Sequence, residues 1–158
     1  MIVVGIDPGA SGAVAIIQTS GAASAVDIPT AKNAAGKTRI IPAAVQDTIM
    51  AAGVPNCVWV EDVHAMPGQG VSSMFAFGRS LGIIEGVVGT LKIPMRYVSP
   101  AVWKRHFGLI GADKDAARTV AMQRFPKVDL ARKKDVGRAD ALLIALYGMQ
   151  VMGKDLFE

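Results

Sequence analysis

Residues 2–18 read IVVGIDPGASGAVAIIQ, and the organisation of the chain follows from how this stretch is parsed. Residues 2–7 are mostly β-branched and apolar and stop at Asp7-Pro8-Gly9, which reads as a buried strand closed by a turn. Residues 13–18 resume the same character as the second arm of a hairpin, and a weaker third strand covers 23–28. Residues 31–38 are polar and contain glycine, a loop. A helix follows over 42–52, with Pro42 in its first turn and Gly53 as its stop. Cys57-Val58-Trp59-Val60-Glu61 is another buried strand.

Downstream, helical periodicity takes over. Met74, Phe77, Leu81, Ile84, Val88 and Leu91 recur at alternating three- and four-residue intervals, which predicts a long helix capped by Ser72 or Ser73 and ending near Leu91. Gly78, Gly82 and Gly86 share one face of it and predict a close backbone approach. The face is either an interface between subunits or a surface packed on the sheet within one subunit. Residues 95–98 form a short strand, and Ser99-Pro100 starts a helix to about Phe107. Asp113 is the expected cap of a helix reaching Arg124. After a basic loop over 126–135, Gly137 or Arg138 opens a last helix through Tyr147. Hairpin strands followed by strands alternating with helices predict an α/β architecture, a mixed sheet with helices on its faces.

Composition narrows the function classes. A chain of 158 residues, 51% hydrophobic and 19% charged, buries a core of its own and is not intrinsically disordered. A lone Cys57 excludes an intrachain disulfide and fits a reducing compartment. The N-terminus has no basic leader, and the most apolar stretch, 81–91, is interrupted by Glu85 and too short for a bilayer. The expectation is a soluble, cytoplasmic protein without a membrane partner. The net charge of +4 is unevenly spread. Residues 92–138 hold twelve basic and four acidic residues, whereas residues 32–91 hold four of each. A concentrated basic segment suits a polyanionic partner.

Three acids stand at the ends of elements: Asp7 and Glu61 each end a strand, and Asp140 lies in the first turn of the last helix. Each alone has a plainer reading, as a turn residue or a helix-dipole partner. If the two strands are parallel neighbours, Asp7 and Glu61 emerge side by side at the sheet edge where α/β sites form. Convergent carboxylates suit hard divalent cations, and two such ions about 4 Å apart would activate a water and stabilise the leaving oxygen of a phosphodiester.

The set then resembles a known family. Asp7-Pro8-Gly9-Ala10-Ser11-Gly12 on a first strand resembles the opening of RuvC-type Holliday junction resolvases, of the RNase H-like superfamily. Glu61-Asp62-Val63 is similar to the family's second acid, and Arg138-Ala139-Asp140-Ala141-Leu142 to the acid that opens its last helix. Between them, Tyr97-Val98-Ser99-Pro100 followed by Lys104, Gly108, Gly111 and Asp113-Lys114 resembles the family's strand, proline turn and spaced lysines. Phe77-Gly78-Arg79 to Gly82 resembles its long helix. The likeness runs through nearly the whole chain in order, and so short a chain looks like a bacteriophage or prophage version.

The resemblance implies one RNase H-like nuclease domain over 1–158, a five-stranded mixed β-sheet flanked by α-helices. It implies a homodimer acting on branched DNA, chiefly four-way junctions, by paired symmetric nicks. Asp7, Glu61 and Asp140 carry over as ligands to two Mg²⁺ ions, with Mn²⁺ as substitute. The family's fourth ligand falls one helical turn before the last acid; here that position is Gly137, and Asp135 is the nearest replacement. Lys104 and Lys114 carry over as DNA contacts near the scissile phosphate, with Lys114 neutralising charge on the phosphoryl oxygens. Arg105 and Arg118 of the basic segment and Ser11 of the opening motif join the DNA-binding set. His64 stands where the family places an aromatic wedge, with Phe75 as alternative. His106 has no evident role, and Trp59 and Trp103 read as core. Two other functions fit parts of the pattern: a broader debranching nuclease for forks and flaps, and an ATP-binding protein of the actin and sugar-kinase type. The latter normally needs two such domains, more than 158 residues supply.

Overall fold

The computed structural model describes residues 1–65, 67–113 and 115–155. Strands β1 (Ile2–Asp7), β2 (Ala13–Gln18) and β3 (Ala23–Asp27) form an antiparallel meander. A small separate hairpin, β4 (Thr30–Lys32) with β5 (Thr38–Ile40), leads into α1 (Pro42–Met50). Then come β6 (Cys57–Glu61), α2 (Val71–Thr90), β7 (Met95–Val98), α3 (Pro100–His106), α4 (Ala116–Arg124) and α5 (Val136–Asp155). The main sheet has the order β3-β2-β1-β6-β7, with β6 parallel to both β1 and β7. The expected five-stranded mixed sheet with helices on both faces is therefore present.

Alternation along the strands sorts the core into two layers. Val3, Cys57, Trp59 and Val98 face α3, α4 and α5 together with Trp103, Ala121 and Leu142. Val4, Ile6, Val58 and Val60 face α1 and α2, meeting Val45, Ile49, Ile84 and Val88. Helix α5 crosses β1 at Gly5, where any Cβ would overlap the Ala141 carbonyl and Ala145. That close approach draws the start of α5 down onto the end of β1.

Several local expectations change. The 31–38 segment is a hairpin because Asn33 Oδ1 accepts the Ala35 and Lys37 N–H groups and ties its turn. Helix α2 begins at Val71 on Gly70, whose carbonyl accepts the Ser73 and Met74 N–H groups, so neither Ser72 nor Ser73 is its cap. Asp113 accepts the Asp115 N–H at 2.8 Å and shapes the turn before α4, whose cap position is Asp115. No described element approaches Gly78, Gly82 or Gly86 within 4 Å of where a Cβ would stand. The sheet-facing side of α2 belongs to Ser80, Ile84 and Val88, which leaves the glycine stripe open on the far side. Phe75, on the same helix, is 71% exposed. By length and composition α2 is long enough and apolar enough to cross a membrane, a property the shorter stretch 81–91 concealed. Its Ile84 and Val88 nonetheless pack against the sheet as in a globular core.

Candidate active site

The parallel register of β1 and β6 pairs Ile6 with Val60, and its continuation sets Asp7 beside Glu61. Both acids sit at positions whose alternation points them to the α5 side of the sheet. Asp140, one residue before the Ala141 that presses on Gly5, brings a third carboxylate from α5.

The electrostatics record this convergence. Burial, then the charge of Glu61 and then that of Asp140, pushes the Asp7 carboxyl up to about 7, against the pull of Lys104. Burial and Glu61 push Asp140 to about 7 as well, again opposed by Lys104. Burial raises Glu61, while the indole of Trp103 and the charge of Lys104 lower it. Trp103 Nε1 donates to Glu61 Oε1 at 2.9 Å, and Trp103 is wholly buried. Asp140 Oδ1 is buried with no hydrogen-bond partner. Among the described residues no three carboxylate, imidazole or thiolate groups are closed tightly enough to form a finished metal site. The acids share a neighbourhood without yet sharing a point. Their hard oxygen donors and the unpartnered Asp140 Oδ1 fit a divalent cation such as Mg²⁺.

The residues around the acids divide sharply. Lys104 lines one cleft of about 330 Å³ with Asp140 and Asp113, and its ammonium lies 5.2 Å from the centre of the Trp103 ring. Arg105 is exposed on the same helix. Lys114 lies outside the described residues. Gly137 has no room for a ligand-bearing side chain without displacement: its Cβ would stand 3.2 Å from Asp7 Oδ2 and 3.2 Å from the Ser11 carbonyl. Asp135, only 1% exposed, is tied to Arg132 by a 2.6 Å contact to Nη2 and by the Arg132 N–H at 2.9 Å. The guanidinium holds the Asp135 carboxyl below the usual carboxylate range. In this structure Asp135 therefore anchors the start of α5 and is not presented to Asp7. Arg138 pairs with Asp27 at 2.6 Å, pinning the same turn to β3.

Arg118 also departs from its expected role. It grips Asp115 through Nε and Nη2 and donates to the Leu130 carbonyl at 2.9 Å, with only 12% of its side chain exposed. It is a brace for the basic loop, with no donor set turned outward as DNA contact requires. His64 is 78% exposed, its Nε2 3.5 Å from Asp62 Oδ2, in the loop after β6. Ser11 is exposed on the Pro8–Gly12 turn. His106 is occupied by Gln150 at 2.6 Å. A cavity of about 600 Å³ lies by the β2–β3 turn and Phe125, at the opposite end of the sheet from the acids. Trp103 is the residue that sequence reasoning missed. Its signal was present, since a buried indole N–H requires an acceptor and Ser99-Pro100 places Trp103 in the first turn of a helix beside the strand that ends at Glu61.

No family model matches the chain. One curated relative, the chloroplastic Holliday junction resolvase MOC1 of Chlamydomonas reinhardtii, is 37% identical over 99 residues, 58% of this chain. The match spans only 11% of that protein's length. The structure of Thermus thermophilus RuvC in complex with a Holliday junction substrate superposes with a TM-score of 0.65 at 19% identity, covering 97% of this chain and 96% of that one. A second Thermus thermophilus RuvC structure gives a TM-score of 0.63 at 20% identity, covering 97% of each chain. The fold is thus that of RuvC, an RNase H-like five-stranded mixed sheet flanked by helices, and Asp7, Glu61 and Asp140 lie at one edge of it.

Proposed function

We propose that this chain is a divalent-metal-dependent endonuclease that resolves four-way DNA junctions by paired symmetric nicks. The observation that carries the reading is the parallel β1–β6 register, which sets Asp7 beside Glu61 with Asp140 brought over them. The local likeness to a Holliday junction resolvase and the fold shared with a protein solved on such a junction support the substrate.

Asp7, Glu61 and Asp140 would hold two Mg²⁺ ions, or Mn²⁺ in their place. Such ions supply a nucleophile at neutral pH and charge stabilisation at the phosphoryl oxygens. Trp103 fixes the rotamer of Glu61 by its indole N–H and leaves Oε2 free of that contact. Lys104, aimed into the cleft with Asp140, balances negative charge building on the phosphate. Lys114 is assigned the same task from the sequence. Gly137 lets Asp7 stand close to α5, so three carboxylates serve where relatives of the expected pattern carry four ligands.

Paired cuts on a symmetric junction require two sites in fixed relation, hence two copies of the chain. The outer side of α2, with Gly78, Gly82, Gly86 and the exposed Phe75, is the surface assigned to that contact. The test is Mg²⁺-dependent cleavage of a synthetic four-way junction, a fork and single-stranded DNA, with mapped cut sites, by the wild type and Asp7→Asn. The wild type is expected to place symmetric nicks on the junction. Asp7→Asn is expected to bind it and to lose cutting by about 10³-fold or more. Equal cutting of forks would select the broader debranching activity, and full activity in Asp7→Asn would overturn the site.

A further inference from the structure

On the other side of the Pro8–Gly12 turn from the carboxylates lies a groove of about 290 Å³. Its walls are the turn itself, strand β5 and the first half of α2. Arg39 comes from β5 and Arg79 from α2, with hydroxyls of Ser11, Thr38 and Ser73 around them. No acid lines it. Arg79 is exposed, and among the described residues neither arginine has a carboxylate within ion-pair distance. The Arg39 guanidinium donates to the Thr38 carbonyl at 3.1 Å. The hairpin behind it adds Lys32, whose ammonium donates to Thr38 Oγ1 at 2.8 Å, and Lys37.

These are the four basic residues of the 32–91 segment, whose net charge is zero. The balance is deceptive because the acids lie elsewhere. Glu61 is in the carboxylate set with Asp62 next to it, Asp47 is on α1, and Glu85 accepts the Tyr97 hydroxyl at 2.6 Å. Arg39 and Arg79 remain, among the described residues, unopposed at a concave surface, where field lines focus and attract anions. Two guanidinium forks flanked by hydroxyls and a backbone turn are donors matched to phosphate oxygens.

We infer that this groove binds the sugar-phosphate backbone of the strand being cut, beside the scissile phosphate. The same short turn separates it from Asp7, so a strand laid over the turn reaches both. The inference rests on the nuclease reading above, and it adds a second anchoring surface outside the basic segment 92–138. Phosphate contacts of this kind fix register on the DNA without reading its sequence.

The experiment is a salt titration of binding to a synthetic four-way junction, by fluorescence anisotropy in EDTA so that nothing is cut. Wild type, Arg79→Ala, Arg39→Ala/Arg79→Ala and Lys104→Ala/Arg105→Ala are compared. The slope of log affinity against log salt is expected to flatten by about one unit in Arg79→Ala and by about two in the double arginine variant. The loss should be uniform across junctions of different sequence. Wild-type slope and affinity in the double variant, alongside a loss in Lys104→Ala/Arg105→Ala, would overturn the groove while leaving the nuclease reading standing. A wild type that binds no branched DNA would overturn the nuclease reading itself. Should the double variant lose its circular dichroism, Arg79→Ala alone decides, since Arg79 is exposed on α2 and makes no ion pair to lose.

Discussion

The two faces of the sheet treat charge in opposite ways. On the α5 face, the segment that is densely basic in sequence commits three of its arginines to internal pairs. Arg118 grips Asp115, Arg132 grips Asp135, and Arg138 grips Asp27. Among the described residues, Lys104 stands beside the carboxylates with the exposed Arg105 next to it. On the α2 face, a segment of zero net charge presents Lys32, Lys37, Arg39 and Arg79 with no carboxylate paired to them among the described residues. The lesson is that a run of like charge measures attraction for a polyanion only after internal pairs are subtracted.

The contrast breaks most sharply at Lys104 and Arg118, which lie in the same basic segment. Lys104→Ala should slow single-turnover cutting of the junction by roughly 100-fold, the scale of losing one charge stabiliser at a reacting phosphate. Arg118→Ala should instead lower Tm by several degrees and leave the salt slope of junction binding at the wild-type value. A steep loss of binding in folded Arg118→Ala would return that residue to the DNA surface.

The acids offer a second contrast, because burial raises them while pairing lowers Asp27 and Asp135. A carboxyl raised in the folded state binds its proton there more tightly than in the unfolded chain. Stability therefore falls as pH climbs from the ordinary carboxylate range to about 7, and levels off above that. Metal-free protein should melt higher at pH 5 than at pH 8. Asp7→Asn should shrink the difference by on the order of 2 kcal/mol, a few degrees in Tm. Millimolar Mg²⁺ should raise Tm at pH 8 and have little effect at pH 5. A flat pH profile by differential scanning calorimetry would mean that the acids do not press on one another.

Trp103→Phe keeps the buried ring and deletes the donor to Glu61. It should destabilise the fold by about 1–2 kcal/mol and slow cutting by roughly tenfold through a freed Glu61 rotamer. An unchanged cutting rate would make the hydrogen bond purely structural. On the α2 face the smallest effect on folding is expected. A Cβ at Gly82 has no described neighbour within 4 Å, so Gly82→Leu should keep the folding free energy within about 1 kcal/mol of the wild type, on the stabilising side because leucine is the better helix former. The same variant should shift the protein from dimer to monomer by light scattering, and a persistent dimer would move the interface away from this stripe.

Much of the architecture was legible because it is written in local periodicity. The continuous apolar runs of residues 2–7 and 57–61, the helical spacing from Met74 to Leu91, and the Ser99-Pro100 start all depend on near neighbours. The carboxylate set was legible for the same reason: each acid ends or begins an element, and element ends are marked in sequence. The 31–38 hairpin was not, since strands of three residues carry too little alternation to be seen. The cap of α2 was misplaced because Gly70 holds it with a backbone carbonyl, which any residue type supplies.

The parallel β1–β6 register that sets Asp7 beside Glu61 came from the tertiary structure; by itself the sequence determined the α/β class and the placing of each acid at the end or start of an element. These follow from backbone geometry that repeats every two or 3.6 residues. Only the tertiary structure decided which cations are free. It paired Arg138 with Asp27 across 111 positions, put Trp103 on Glu61 across 42, and left Arg39 and Arg79 facing an open groove. It also placed the glycine at 137 against Asp7 and turned the glycines of α2 outward. Charge and close packing act through space, so their partners depend on how the elements cross, which no local pattern encodes.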